Sequence, residues 1–549
     1  MASTVACVSD ATITATAIPQ TKPLHPTQVP NSAGGFCWQV QPLDRLRRFL
    51  CLGVEGGTYY ATEKQLALEN VGSIHAILKD DEGALGPQVV AEVVDFSVNG
   101  RTAKQGALLF TLALCAKLGD QKTRQLAYAA LPKVCRIPTH LFTFVEYAEA
   151  LSVGTGWGKA HRKAIASWYN SKDAKHLAFQ CTKYRTRNGW SHRDLLRLAH
   201  PKPCDHDHDV LYKYMAKGLV AVTADDEAAM QDQELMAFLV DVEMAKSSTS
   251  ADDTIAAMIR HHLAREHVAT GLLGNVEIWR HLLANMGLTA MIRNLGKMTS
   301  VGLLTRDSAE SALVVDRLQD EAALHKARVH PFNVLLALKT YSKGQGDKGS
   351  LEWDPVPAVV DALERAYYKS FASVKPTGKR FVLAIDVSGS MTWGSVCGGA
   401  ITPREAAGAM AMVTLRTEAH CHTLGFTSHL VSLDMRPTST LTQVCTAMDN
   451  LPFGGTDCAA PMEHCQRHNV QADVFIVFTD NETYHGDVHP SQALRNYRAH
   501  TGIPAKLIVV GITSNGFTIA DPADKGMLDI CGFDANVPAL IENFVGGQF

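Results

Sequence analysis

RFVLAIDVSGS, residues 380–390, decides the fold of the C-terminal third of this chain. Five apolar residues, Phe381 to Ile385, run without a break into Asp386 and a small-residue turn. A short unbroken apolar run bounded by turn signals is a strand buried on both faces, and such strands belong to parallel sheets covered by helices. VFIVFTD (474–480) and KLIVVGIT (506–513) repeat the pattern. Between the three lie helical patterns: PREAAGAMAMVTLRTEA (403–419), LTQVCTAMDN (441–450) and HPSQALRNYRAH (489–500). Buried strands alternating with helices predict a doubly wound, Rossmann-like α/β domain over 373–549, entered past Pro376-Thr377-Gly378. Ligands of such sheets bind beyond the carboxyl ends of the strands.

Chemistry is expected at that edge. Asp386, Ser388 and Ser390 place one carboxylate and two hydroxyls two residues apart just past a strand end, and Gly389 lets the chain turn between them. Thr456 in GGTD and Asp480 at the end of VFTD fall at the same edge. An all-oxygen set of this kind suits a hard divalent cation, Mg²⁺ first, with Mn²⁺ or Ca²⁺ as alternatives. A capped strand-to-helix turn with no metal is the bland alternative. A phosphatase-like nucleophile at Asp386 is disfavoured, because Ser388 stands where a second acid belongs. There is no phosphate-binding Walker loop and no GxSxG elbow. No base–nucleophile pair is nominated, so the expectation is a protein that is not an enzyme.

Upstream, apolar residues recur at three- and four-residue spacing in LLFTLALCAKL (108–118), QLAYAALPKVC (125–135), LFTFVEYAEAL (141–151) and IWRHLLANMGL (278–288), with Gly119-Asp120, Pro132, Pro138 and Gly287 as punctuation. No alternating strand is evident before residue 380. Stacked helix pairs are therefore expected over 35–372. Residues 1–34, rich in Thr, Ala and Pro and without a basic start or compact apolar core, read as a disordered tail rather than a secretory signal. No apolar run is long enough to span a membrane. Thirteen scattered cysteines with no CxxC pair suit reduced thiols, hence the cytosol with a nuclear pool.

The net charge of −3 is uninformative, but its distribution is not. Residues 159–197 carry Lys159, Arg162, Lys163, Lys172, Lys175, Lys183, Arg185, Arg187, Arg193 and Arg197 against Asp173 and Asp194 alone, a net of +8. Trp157, Trp168, Tyr169, Tyr184 and Trp190 are interleaved with them. Cations pair with phosphates and aromatics stack on bases, so this is a candidate polyanion site. A solvated helix face over core aromatics is the alternative, with Trp168 and Tyr169 core in either case. Ser191 reads as an N-cap whose helix amides suit a phosphate. An acidic run from Asp225 to Asp253 reads as a solvated face or loop. Cys204-Asp205-His206-Asp207-His208-Asp209 reads as a solvated turn more than a metal cluster, and HLAREH (262–267) has the wrong spacing for two ligands on one helix face.

Two resemblances extend this reading. Asp386, Ser388, Ser390, Thr456 and Asp480 resemble the five positions of the metal-ion-dependent adhesion site of von Willebrand factor A domains. That implies metal ligation, direct or through water, and an open position for an acidic group of a protein partner. The chain as a whole resembles the Ro (TROVE) ribonucleoprotein family, through GFCWQV (35–40), RKAIASWYN (162–170), TKYRTRNGWSHRDLLRL (182–198), MIRNLGKMT (291–299), GGTDC (454–458) and DVFIVFTDNET (473–483) among others. The resemblance implies a ring of HEAT-like helical repeats closed by the A-type domain. It implies binding of Y RNA on the outer surface and of single-stranded ends of misfolded small non-coding RNA in the central hole, in RNA quality control, by a monomer. His192, in the matching NGWSH string, would sit at the Y RNA contact, with Lys175, Lys183, Arg185 and Arg187 as phosphate contacts. A metal-dependent adhesion scaffold without RNA is the competing class, and the basic block counts against it.

Overall fold

A computed structural model describes residues 17–79, 85–152, 154–223, 233–346, 349–371, 375–452 and 454–548. The buried runs form strands as expected: β5 (Arg380–Asp386), β8 (Val474–Thr479) and β9 (Lys506–Gly511). With β6 (His420–Phe426), β7 (Leu430–Val431) and β11 (Met527–Cys531) they make a six-stranded sheet in the order β11-β9-β8-β5-β6-β7. All pairings are parallel except the short edge strand β7. Strands β6 and β11 are not legible as buried runs, because each is part exposed along its length and lacks the unbroken apolar string.

Alternation within β5 sorts the interior. Phe381, Leu383 and Ile385 join a core that is continuous with the helices upstream, from Leu46 to Tyr367. Val382 and Ala384 face a second core with Phe475, Val477, Leu507 and Val509. Period two along a strand places successive side chains on opposite faces; both sheet faces carry crossover helices, Pro403–Thr417 in the first core and Pro490–Thr501 in the second, and the first core merges with the helical region.

The helical region runs from Pro42–Leu52 to Pro357–Lys369. The punctuation acts as local chemistry requires: Asp120 caps the helix Gln121–Val134, accepting the Thr123 amide at 2.8 Å, and Pro138 opens the next helix. Pro132, read as a break, instead lies in the last turn of Gln121–Val134. Both ends of the helical array meet the α/β domain. Near the start, Arg48 is buried and pairs with Asp529, and the Arg101 guanidinium meets Asp534 at 3.1 Å. Near the end, Lys339 pairs with Glu405, and Arg416 meets Glu364 at 3.2 Å. Asn333 Nδ2 also donates to the Ala103 carbonyl at 3.2 Å, so the end of the array touches its beginning. These contacts close the chain on itself.

The tail expectation needs correction. Residues 1–16 lie outside the described residues, but 17–34 are built into the α/β domain. β1 (Gln28–Pro30) pairs with β2 (Phe36–Gln39), which pairs with β10 (Phe517–Thr518). Gln20 is fully buried and donates to Asp457 at 2.7 Å and to the Val488 carbonyl at 2.8 Å. The partners are more than 430 positions away, so nothing local in a Thr-, Ala- and Pro-rich stretch announces them. A second hairpin also lies before residue 380, where none is expected. β3 (Thr186–Arg187) and β4 (Trp190–Ser191) are joined by Asn188-Gly189, whose φ values of 52° and 78° suit a two-residue primed turn.

Candidate metal centre and nucleic-acid interface

Three loops converge at the carboxyl edge of the sheet. The Gly389 amide donates to the Gly454 carbonyl at 3.3 Å, joining the loop after β5 to the loop that carries Thr456. Asp386 is fully buried; its Oδ1 accepts the Ser388 amide at 2.9 Å and its Oδ2 accepts the Thr479 hydroxyl at 2.7 Å. The Ser388 and Ser390 hydroxyls are 3.2 Å apart, and the Ser390 side chain acts to lower the Asp480 carboxyl. Thr456 is buried beside them, its carbonyl accepting the Tyr484 and His485 amides at 3.0 Å each. All five residues singled out by spacing therefore lie at one edge.

The electrostatics there call for positive charge. Burial, then the neighbouring Asp480, pushes the Asp386 carboxyl up from 3.8 to about 7. Burial raises Asp480 as well. Glu482, buried two residues on, is pushed up to about 8 by burial and by Asp480. Buried acids side by side cost free energy unless a cation or protons compensate. The buried guanidinium of Arg404 close by turns its terminal nitrogens to carbonyls: Met448 at 2.8 Å, Leu451 at 3.3 Å, Ser388 at 3.4 Å and Val387. It fixes the loop and acts on Asp386 only through space, with no ion pair to either acid among the described residues. Two carboxylates with serine and threonine hydroxyls fit a hard divalent cation.

Sequence reasoning missed the supports of this edge. Glu482 accepts the amides of Ser32 at 2.7 Å and Ala33 at 3.2 Å, and Asn31 Nδ2 donates to the Thr483 carbonyl at 2.7 Å. The N-terminal segment thus straps the Asp480–Thr483 loop. The loop after the first helix supplies the rim, where Tyr59 stands 6.5 Å from Trp393, both more than half exposed. The two rings come from different domains, so no local signal could have paired them.

The basic segment divides into free and engaged cations. Lys175 pairs with Glu234 at 2.6 Å, Lys183 meets Glu266 at 3.7 Å, and Arg185 pairs with Glu243. Glu234 and Glu243 lie on the helix Gln233–Ser247, so the acidic run partly neutralises the basic one; its members Asp225, Asp226, Glu227 and Asp232 lie outside the described residues. Lys159, Arg162, Lys163, Arg187, Arg193 and Arg197 are exposed, with no ion pair among the described residues. Three of the four cations expected to meet phosphate first are thus already paired, and Arg187 on the hairpin is the exception.

His192 is corrected more strongly. It is buried, with Nδ1 2.8 Å from the Tyr169 hydroxyl and Nε2 2.9 Å from the Tyr184 carbonyl, and burial lowers it from 6.5 to about 4. A neutral ring with both nitrogens committed supports the hairpin from below. Ser191 does cap the helix His192–Ala199, in a reciprocal box with Asp194 that occupies the Ser191 and Asp194 amides. Trp157, Trp168 and Tyr169 are core, while Tyr184 and Trp190 are half-buried. The aromatics are mostly supports, and the cations form the surface.

A second cationic feature was not anticipated. A cavity of about 540 Å³ lies between the helices Leu288–Ser300 and Pro331–Lys343. Lys104, Arg265, Arg293, Lys297 and Arg328 line it, Tyr341 and Trp353 form part of its wall, and no carboxylate among the described residues lines it. Arg293 and Lys297 share a helix face at a spacing of four, a signal present in MIRNLGKMT.

Comparison with known proteins settles the family. The TROVE domain model matches residues 29–340, and a Ro60 vWA domain model matches residues 380–545. The chain belongs to the TROVE family of Ro proteins. It is 37% identical to the RNA-binding protein RO60 of Caenorhabditis elegans, over 95% of this chain and 90% of that protein. It is 40% identical to the RNA-binding protein RO60 of Deinococcus radiodurans, over 96% and 97%. The crystal structure of the Deinococcus radiodurans RO (RSR) protein superposes with a TM-score of 0.69 at 38% identity, covering 93% of this chain and 100% of that one. The TROVE match begins at residue 29, inside the segment that composition reads as a tail.

Proposed function

We propose that this Ro-family chain binds RNA at two surfaces. Small structured non-coding RNA of the Y RNA class takes the exposed cations around the β3–β4 hairpin, and single-stranded ends of misfolded non-coding RNA take the cavity, in RNA quality control. The observation that carries the reading is the cavity itself, with five cations, two aromatic walls and no carboxylate among the described residues. Such a lining suits a phosphodiester strand with unstacked bases. The family's RNA-binding relatives support the polyanion class. The role is binding, with no catalytic step. Twelve described cysteines, all unpaired, suit a reducing compartment such as the cytosol. Among the described residues no helix is long and apolar enough to cross a membrane.

The A-type domain in this proposal holds one divalent cation, Mg²⁺ before Mn²⁺ or Ca²⁺, on Asp386, Ser388, Ser390, Thr456 and Asp480. When bound, the cation supplies an open position for an acidic group of a protein partner. Tyr59 and Trp393 at the rim offer that partner an apolar contact.

Crosslinking of the purified chain to total cellular RNA, followed by sequencing, tests the RNA reading. Small structured RNAs are expected to be enriched. Arg293→Glu/Lys297→Glu is expected to lose single-stranded ends and keep structured RNA, and Arg187→Glu/Arg193→Glu the reverse. No enrichment, or equal profiles for wild type and both double variants, overturns it.

A further inference from the structure

Apart from both surfaces, the loop after Pro203 gathers a different donor set. Cys204 and Asp205 are exposed, whereas His208, in the first turn of the helix His206–Lys217, is 2% exposed. The thiol sulfur, a carboxylate oxygen and a ring nitrogen of these residues lie within 4.8 Å of one another. Cys204 Sγ is 3.8 Å from Asp205 Oδ2, and His208 Nδ1 is 2.7 Å from Asp205 Oδ1. The convergence has a local cause. Asp205 is the N-cap and accepts the His208 amide at 2.8 Å, which draws the two side chains to the same end of the helix.

The far side of the ring supplies the independent observation. His208 Nε2 lies 3.0 Å from the Lys172 carbonyl, on a separate segment of the chain. A carbonyl only accepts, so Nε2 carries a hydrogen. In the neutral ring Nδ1 is then a lone pair whose hydrogen-bond-distance neighbour, among the described residues, is a carboxylate. Two acceptors at 2.7 Å require a proton or a cation between them. A backbone carbonyl holding the remote N–H is also the outer partner that orients a metal-bound imidazole.

We propose that Cys204, Asp205 and His208 form a binding site for a borderline-soft divalent cation of the Zn²⁺ class, with solvent completing the tetrahedron. Thiolate, carboxylate and imidazole together match Zn²⁺ and not Mg²⁺. On binding, the sulfur–metal bond replaces the S–H bond, and both the thiol proton and the proton held between His208 Nδ1 and Asp205 leave to solvent. The metal pins the loop next to the turn where Asn170 Nδ2 donates to the Lys202 carbonyl at 2.8 Å, beside the basic segment. The site shares no residue with the Asp386 group, so the two metals are separable by chemistry.

The test is titration of the full chain with Co²⁺ as a spectroscopic stand-in, followed by displacement with Zn²⁺. One equivalent is expected to give a sulfur-to-cobalt charge-transfer band in the near ultraviolet, quenched by Zn²⁺. Asp386→Ala, which removes a site of oxygen ligands only, is expected to keep the band. Cys204→Ser, at an exposed position, is expected to abolish it. Asp205→Asn keeps a capping side chain and is expected to weaken Co²⁺ by at least the roughly tenfold that losing even an outer partner costs. Absence of the band in the wild-type chain, leaving an imidazolium–carboxylate pair only, overturns the proposal. So does a band that survives Cys204→Ser.

Discussion

Replacing Asp386 by Asn removes a charge from the edge of the sheet while keeping the shape of the side chain. In the metal-free chain the Asp386 carboxyl is held at about 7 instead of 3.8, by burial and by Asp480. Between those two values the folded state keeps a proton that the unfolded chain has released. Stability therefore falls as pH rises through that window. At roughly 1.4 kcal/mol per pH decade, the interval bounds the penalty above neutrality at about 4 kcal/mol. Asn carries no such penalty, so metal-free Asp386→Asn is expected to melt several degrees above metal-free wild type at pH 8 and to match it near pH 4. Adding Mg²⁺ is expected to stabilise wild type strongly at pH 8, weakly near pH 5 where protons compete for the same oxygens, and Asp386→Asn at neither. Thermal unfolding of the α/β domain, followed by near-ultraviolet circular dichroism with and without chelator, reads each of these. A variant no more stable than metal-free wild type at pH 8, together with an Mg²⁺ response independent of pH, would refute the reasoning about the buried acids.

Other perturbations bear on the rest of the molecule. Arg187→Ala, Arg193→Ala and Arg197→Ala together are expected to weaken structured RNA and to flatten the slope of log affinity against log salt by about one for each phosphate no longer neutralised, whereas Lys175→Ala, whose ammonium already pairs with Glu234, changes the slope little; filter binding at several salt concentrations checks both. Arg48→Met leaves the part-buried Asp529 without its cation at the closure of the ring and is expected to cost up to about 3–5 kcal/mol, seen as faster hydrogen exchange in Pro42–Leu52 and β11; unchanged exchange there argues against a closing role. Gly35→Ala would set a Cβ 1.9 Å from the Thr483 carbonyl oxygen, so it is expected to lift the N-terminal strap and weaken Mg²⁺ binding with little effect on RNA, both measurable by calorimetry.

Legibility followed the range of the interactions. Asp386, Ser388 and Ser390 announce themselves, because a two-residue spacing past a buried strand already fixes where the oxygens sit. Thr456 and Asp480 follow, since parallel strands deliver their ends to one edge. The supports of the same site are silent. Gln20, Asn31 and the amides of Ser32 and Ala33 act through partners more than 400 residues away, and no composition rule connects them. Arg404 reads as one more polar residue of a helix until its guanidinium is seen reaching carbonyls on two other segments.

The charge pattern shows the same division. By itself the sequence determined that the chain has a helical part, a parallel α/β part with an oxygen-lined edge, and one strongly basic stretch, because periodicity and local charge density are properties of neighbouring residues. Only the tertiary structure decided which cations are free. It neutralised Lys175 and Arg185 with the helix Gln233–Ser247, left Arg187 open, sank His192 into the core, and gathered Lys104, Arg265, Arg293, Lys297 and Arg328 around one cavity. Coulomb interactions act through space and not along the chain, so the value of a charge is set by what folding brings beside it.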